Sequence, residues 1–574
     1  MTMKKIIVTL LLVHTFVAMQ AQKLESKVPN NADIVIEANA ENLFKLINVS
    51  DINNNMLGEE ILKNINRRRE NKVTSVSKTG VNIKSNAYYF FQKTDSISYH
   101  TILVELNDRK LYESMLKKRN VEKIQKENGY SFIRGSREVT IWNDKLLLIV
   151  NAQKSYSYFK KHKERFEALK EEGESMYAVK KRFSKLWTLK KAFSILENNG
   201  LSSSIATNSS FQKGKKKGAS ATLWVRNYGM LMSDVIGSLG SSVYGAMPYL
   251  SLQKGNNIYG IEEVTANLFF NESSASISLD MFISDDMKKS FKKIYNKKMN
   301  NTLINSFDHN KALAFWSVSM NTEELLLEYP GMMDKMYGGM LPKFKEEIDI
   351  VGDLLSLVLD EKAIAELFTG DALFVLNDFS EQDVSYTSYK YDDDYKRKAI
   401  VKTKKILVPD FTLMIGSEKK ELLNKMFRLG KKHKAVSEFN GVFEFDKKIG
   451  KLPFNLYAVV KNNVLYVTTS KTRAVGIRVG RGDYKSTKYR KLIKNNSSVL
   501  YTDVNRLIEN LPTNLFGRDE RKMSAFSKEN VKDAYFKVSK VKGNKMSSEL
   551  RLNTNGKNGN TLKTLFKFID HMAK

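Results

Sequence analysis

The stretch ADIVIEANAENLF, residues 32 to 44, alternates apolar and polar side chains up to Asn39, then spaces its apolar residues so that Leu43 and Phe44 fall on one side. Period-two alternation predicts a half-buried strand. The change of period after a residue whose side chain accepts backbone N–H groups predicts a helix start. This phrase occurs four times: DIVIEANAENL with Asn39 and Leu43, ATLWVRNYGML with Asn227 and Leu231, AFWSVSMNTEEL with Asn321 and Leu325, and VLYTDVNRL with Asp503 and Leu507. Asn39, Asn227, Asn321 and Asp503 are therefore expected to cap helices at four equivalent junctions.

The elements after each phrase recur in the same order. Two strand-like runs come next (NAYYFF and HTILVEL, VTANLFF and SISLDMFI, DALFVLN and FTLMIGS, AYFKVSK and MSSELRLN), then a helix opened at Asn107, Ser284, Ser417 or Asn560. The first and third units continue into further strands. Gly129 and Gly441, each after Asn, and the pairs Asn143-Asp144 and Asn462-Asn463 mark tight hairpin turns there. The second and fourth units stop after their helix.

The offset is nearly constant, 282 residues from Asn39 to Asn321 and 276 from Asn227 to Asp503. It predicts a tandem duplication with a period too long for a solenoid, whose units run to about 20–50 residues. The expected fold class is α+β: two tandem pseudo-repeats of antiparallel sheets covered by helices, each made of a long and a short strand-helix-strand-strand-helix unit. The expected boundaries are a leader at 1–21, a first repeat at 22–300 (long unit about 28–165, short unit about 166–300) and a second at 301–574 (long unit about 310–480, short unit about 485–574). The polar run MNNTLINSFDHN, 299 to 310, is the expected junction.

Lys4 and Lys5 precede an apolar core from Ile6 to Val17, with the small Ala21 before Gln22. That is the layout of a cleaved secretory leader, too short for a membrane span, which needs about 20 residues. The chain has no cysteine, so neither a disulfide framework nor a lipidated N-terminal cysteine is available. The run at 230–250 is broken by Asp234, Pro248 and glycines, and no membrane span is expected after leader removal. The expected location is periplasmic.

The formal net charge is +31, falling to +29 when Lys4 and Lys5 leave with the leader. Such a field favours anionic partners, although abundant Lys, Asn and Ile also fit a purely compositional bias. The candidate contacts are Lys215, Lys216 and Lys217 in FQKGKKKGAS, and Lys288, Lys289, Lys292 and Lys293, which recur at helical spacing beside Met287, Phe291, Ile294 and Tyr295.

The segment VPNNADIVIEANAENL, the SNAYYFF and HTILVELND strands and the WNDKLLLIVN hairpin resemble a group of exported proteins of Bacteroidota, a domain-of-unknown-function family with a duplicated α+β layout. Its members are often lipoproteins, and this chain departs from them in lacking the cysteine. The resemblance implies an envelope location and carries no activity.

Linear chemistry is sparse. His100, His162, His309, His433 and His571 are far apart and are expected on the surface, without the convergent spacing of a zinc site. YKYDDDYKRK, 389 to 398, holds Asp392, Asp393 and Asp394 without the glycine and late glutamate of a calcium loop, and reads as an elongated, solvated hairpin tip. GRGD, 480 to 483, is a short match without weight. No GxSxG elbow, P-loop or dinucleotide fingerprint occurs, so no catalytic, cofactor or metal residue is expected.

The expected function is an exported, non-catalytic binding or assembly protein of the bacterial envelope. Its expected partner is an anionic lipid, lipopolysaccharide or glycan, or another envelope protein, with no specific nucleic acid. Two alternatives stand beside it: a carrier of apolar ligands in a groove between repeats, and an envelope hydrolase without a linear motif.

Overall fold

In the computed structural model of the chain the residues described are 24–67, 72–197, 203–229, 260–333, 350, 360–391, 395–446, 454–481, 484, 489–512 and 516–573. The leader, the run at 230–250, the three aspartates Asp392 to Asp394 and the last two positions of GRGD lie outside them.

The fold is α+β. Strands β1 (Ile34–Ala38), β2 (Ala87–Lys93), β3 (Ile97–Glu105), β4 (Gln125–Glu127), β5 (Tyr130–Arg134), β6 (Glu138–Trp142), β7 (Leu146–Lys154), β8 (Ala221–Arg226), β9 (Ile261–Phe270) and β10 (Ser274–Ile283) come first. They are followed by β11 (Ala314–Ser319), β12 (Asp371–Tyr391), β13 (Arg397–Gly416), β14 (Val436–Phe439), β15 (Val442–Phe445), β16 (Tyr457–Lys461), β17 (Val464–Thr468), β18 (Asn496–Asp503), β19 (Val531–Ser539) and β20 (Lys545–Thr554).

Neighbouring strands run β4-β5-β6-β7-β3-β2-β1-β8-β9, all antiparallel. The later strands run β14-β15-β16-β17-β13-β12-β11-β18-β19, also antiparallel and in the same order. The tight hairpins have a local cause. Asn128-Gly129, Asn440-Gly441 and Asn462-Asn463 hold positive φ at both central residues, as the two-residue turn that matches strand twist requires.

Contacts divide the chain into two compact units, residues 1–228, 263–279 and 558–574 in one and 229–262 and 280–557 in the other. This differs from the contiguous repeats expected at 22–300 and 301–574. The helix Asp285–Tyr295 belongs to the second unit, where Met287 joins a core with Ile283, Val541 and Met546, and Phe291 and Tyr295 pack against it. There the backbone N–H of Asn321 donates to the carbonyl of Ile294 at 2.8 Å. The helix Thr561–Ala573 belongs to the first unit, where the Asn560 amide donates to the carbonyl of Leu46 at 2.7 Å and Lys563 pairs with Asp51 at 3.1 Å. Each closing helix finds its partners beside a segment remote in sequence, which a linear boundary cannot express.

In the first unit the long helix Met176–Glu197 buries Leu189, Ala192, Phe193, Ile195 and Leu196 in the core that holds Phe90, Leu103 and Trp224. The second unit has only the helix Lys471–Val479 and a short turn of helix, Arg490–Asn495, between β17 and β18 among the described residues. The core around Phe315, Val375 and Met414 there is covered by Leu303 and Ile304, Ala474 and Ile477, and Ile493, from three short helices.

Candidate functional site

Three of the four junction residues cap helices. The side chain of Asn39 accepts from the N–H of Asn42 at 2.9 Å, Asn321 from Glu324 at 3.3 Å and Asp503 from Arg506 at 3.1 Å. Asn227 differs. It sits in the left-handed region at φ 53°, whereas Asn39 and Asp503 are extended, and the positions after Gly229, Leu231 among them, lie outside the described residues.

The lysine run at 215–217 does not act as one cationic surface. Lys215 is turned inward over the Phe211 ring and pairs with Glu37 at 2.6 Å and Glu25 at 3.2 Å. Glu37 is only 2% exposed, and it also accepts from the Tyr88 hydroxyl at 3.0 Å and the Asn86 amide at 2.9 Å. Burial, and then the charge of Glu37, push the Tyr88 hydroxyl far above its ordinary range. Lys216 donates to Ser278 at 2.6 Å, and Lys217 is exposed. The group therefore resolves into one structural cation, one tethered one and one solvated one.

The helix Asp285–Tyr295 is similarly committed. Lys293 pairs with Glu328 at 2.6 Å and Glu324 at 3.0 Å, and Lys288 lies 3.7 Å from Asp285. Lys292 is half-buried and Lys289 exposed. One of the four lysines, Lys293, thus docks the helix on a neighbouring one, while the Lys288 contact lies within the helix itself.

The expectation of surface histidines fails at His309. It is buried and stacks on Phe307 with ring centres 4.0 Å apart, its Nε2 lying 3.2 Å from the carbonyl of Ile304. A planar ring between Phe307 and Tyr489 fills core space. Among the described residues no group of three or more potential metal-binding side chains converges, and no helix is long and apolar enough to cross a membrane.

The hairpin β12–β13 is much longer than expected. Its counterpart β2–β3 turns within Thr94, Asp95 and Ser96, but β12 and β13 stay in register for fourteen further pairs, from Asp378↔Asp410 to Tyr391↔Arg397. At about 3.4 Å per residue this is an arm of about 45 Å. β11 pairs with β12 only up to Leu376, and β17 with β13 only from Thr412, so among the described residues the arm pairs with itself alone.

Residues directly opposite each other share a face, and the register separates charge. One face carries Tyr386↔Lys402, Ser388↔Ile400 and Lys390↔Lys398, with Lys404 one pair nearer the base. Among the described pairs from Ser380↔Val408 to Lys390↔Lys398 it holds four lysines and no carboxylate, and all four lysines are exposed. The other face carries Glu381, Asp383, Lys405 and Arg397, so its charges balance. Side-chain contacts agree with this division: Lys404 lies over Tyr386 at 5.5 Å on the first face, while Lys405 pairs with Glu381 at 3.2 Å and Arg397 lies over Tyr389 at 3.6 Å on the second.

Sequence reasoning placed only the tip, at 389–398, in this element. The signal was the two-residue spacing of Lys402, Lys404 and Tyr386, Ser388, Lys390, legible once strands are allowed to extend through polar residues.

No protein-family model matches the sequence, and no curated protein resembles it significantly. Among solved structures, crystal form III of TP0453 aligns with 46% of this chain and 80% of that one at 12% identity and a TM-score of 0.24. Crystal form I aligns over the same shares at 10% identity and a TM-score of 0.22.

Proposed function

We propose that this chain is an exported, non-catalytic binding protein whose β12–β13 arm docks on an anionic component of the bacterial envelope. The leader-like start and the +29 balance support export and an anionic partner. The observation that carries the reading is the segregation of charge on the arm, with Lys390, Lys398, Lys402 and Lys404 on one face and no carboxylate among the described pairs of that face from Ser380↔Val408 to Lys390↔Lys398. A scattered compositional excess of lysine would fall on both faces. Lys402 and Lys404 stand about 7 Å apart along the strand, within the screening length of about 8 Å at physiological salt, so their fields add toward a shared polyanion.

The test is binding of the full mature chain to lipopolysaccharide and to anionic vesicles across a salt series. Reversal of the four arm lysines to glutamate should weaken binding at low salt at least tenfold and flatten the salt dependence. Reversal of Lys217 and Lys289 should have a much smaller effect. Equal binding by the arm variant and the parent would overturn the reading.

A further inference from the structure

In the second unit β11 and β18 turn Phe315, Val499 and Tyr501 into the core. The alternate positions form the opposite face, and register places Trp316, Leu500, Phe536 and Leu550 side by side across β11, β18, β19 and β20. In the rows two residues to either side this face holds only alanine, valine, leucine, serine and threonine. No position of the three rows is charged.

A sheet with one face on a core ordinarily turns polar side chains outward. Here the charges of β19 and β20 lie on the other face, where Lys537 pairs with Glu549 at 2.6 Å and Arg551 with Glu549 at 2.8 Å. The uncharged face is open. Trp316, Leu500, Phe536, Leu550 and Leu552 are each 36–52% exposed. The Trp316 indole N–H donates to the Ser498 hydroxyl at 3.1 Å, so the ring has no donor left for a polar partner.

We propose that this strip binds a single-chain lipid, whose acyl chain lies across the strands from Trp316 to Leu550 while its head group stays in water. Three strand spacings of about 4.8 Å give a strip about 14 Å long. One leaflet of a bilayer, half of a hydrocarbon core of about 30 Å, is about as deep as a long acyl chain is extended. The five partly exposed side chains offer roughly 400 Å², about half of what each partner contributes to a stable protein interface, so the strip suits a chain better than a second copy of the protein. It is separate from the lysine face of the arm, and the two readings fail independently.

The probe is cis-parinarate, a fluorescent long-chain fatty acid, titrated into the full mature chain and displaced by palmitate. Palmitate and palmitoyl-lysophosphatidylcholine should displace it about equally, because the chain alone is held. Laurate should be at least tenfold weaker, since each fully buried methylene is worth about fourfold. The pair Leu500→Thr, Phe536→Thr keeps β-branched side chains in the strands and should weaken uptake at least tenfold without lowering the melting temperature by more than a few degrees. Leu500→Thr alone should show part of the loss if the pair melts early. Leu429→Thr, at an exposed leucine of the helix Lys420–Lys432, should change nothing, nor should reversal of the arm lysines. No uptake by the parent, or equal uptake by the Leu500→Thr, Phe536→Thr variant when folded, would overturn the proposal. So would a parent dimer in sedimentation that Leu500→Thr dissociates, which would give the strip to a second copy.

Discussion

The side-chain amide of Asn55 donates to the carboxylate of Asp570 at 2.9 Å, joining positions 515 apart in the chain. The same carboxylate accepts the backbone N–H of Met56 at 2.8 Å. That N–H opens the helix Met56–Asn66 and would otherwise lack an intrahelical acceptor, and the negative charge sits at the positive end of the helix dipole. Asp570→Ala should therefore destabilise the first unit by about 1–2 kcal/mol, read as a lowered urea midpoint. Asp570→Asn, which keeps an acceptor, should lose less. An unchanged midpoint in Asp570→Ala would show that the closing helix is held by its apolar face alone.

Lys215 gives a sharper prediction, because its partner Glu37 lies inside the sheet. Lys215→Ala leaves Glu37 with only the Tyr88 and Asn86 donors. Breaking one side of a buried ion pair costs about 3–5 kcal/mol, less here to the extent that Lys215 is partly exposed. The double variant Lys215→Met, Glu37→Gln should recover most of the loss. If Lys215→Ala instead melts like the parent, Lys215 is a surface residue after all.

The helix Asp285–Tyr295 should be docked most firmly at intermediate pH. Hydrogen bonds from Lys293 and Ser290 hold the Glu328 carboxyl below the usual range, and those to Glu328 and Glu324 raise Lys293. A depressed carboxylate contributes stability above its unfolded pKa of about 4.3, and the contribution is lost as pH falls through the lower folded value. A raised lysine contributes below about pH 10.4, and that contribution is lost as pH rises through its folded value. Both groups keep contact with solvent, which screens the pair, so the effect is small. Amide protection factors across 285–295 should drop between pH 6 and pH 3, and Glu328→Gln should remove most of that drop.

These relationships explain what the sequence could disclose. Capping by Asn39 and Asp503 is local, its acceptor and donor being three residues apart, and the alternation before each residue marks the strand it ends. The cap of the helix that follows the two strands is harder to place: Asp108 rather than Asn107 accepts from Leu111, and the helix expected from Ser417 begins at Lys420. Lys215 and Lys293 look alike in composition, but their fates depend on Glu37 and Glu328, which reach them only through the fold. The exchange of the closing helices has no linear signature, because Met287 and Leu562 would read as apolar positions over any core. The arm was hidden for a different reason. Strand periodicity is sought in apolar residues, and a ribbon solvated on both faces has few. The matching pairing order of β4–β9 and β14–β19 is what a tandem duplication would leave, and superposition of the two sets of strands tests it.

The arm should be dispensable for folding. Beyond Phe379 and Pro409 its strands pair only with each other among the described residues, and most of its side chains are exposed, although Val408 at its base is buried. An isolated two-stranded ribbon is marginal in water, so the distal pairs depend on local contacts such as Arg397 over Tyr389 and contribute little to the unit beneath. Deleting residues 383–405 and joining 382 to 406 through Asn-Gly keeps Val408, the Pro409 carbonyl that Thr469 uses at 2.9 Å, and the Asp410 partner of Arg473. A two-residue turn of that composition suits the strand twist. The shortened protein should melt within a few degrees of the parent and lose its salt-sensitive binding to lipopolysaccharide and anionic vesicles. A shortened protein that unfolds would make the arm structural. One that folds and still binds the vesicles would move the anionic contact elsewhere, first to Lys217 and Lys289, the exposed lysines that the fold leaves in place.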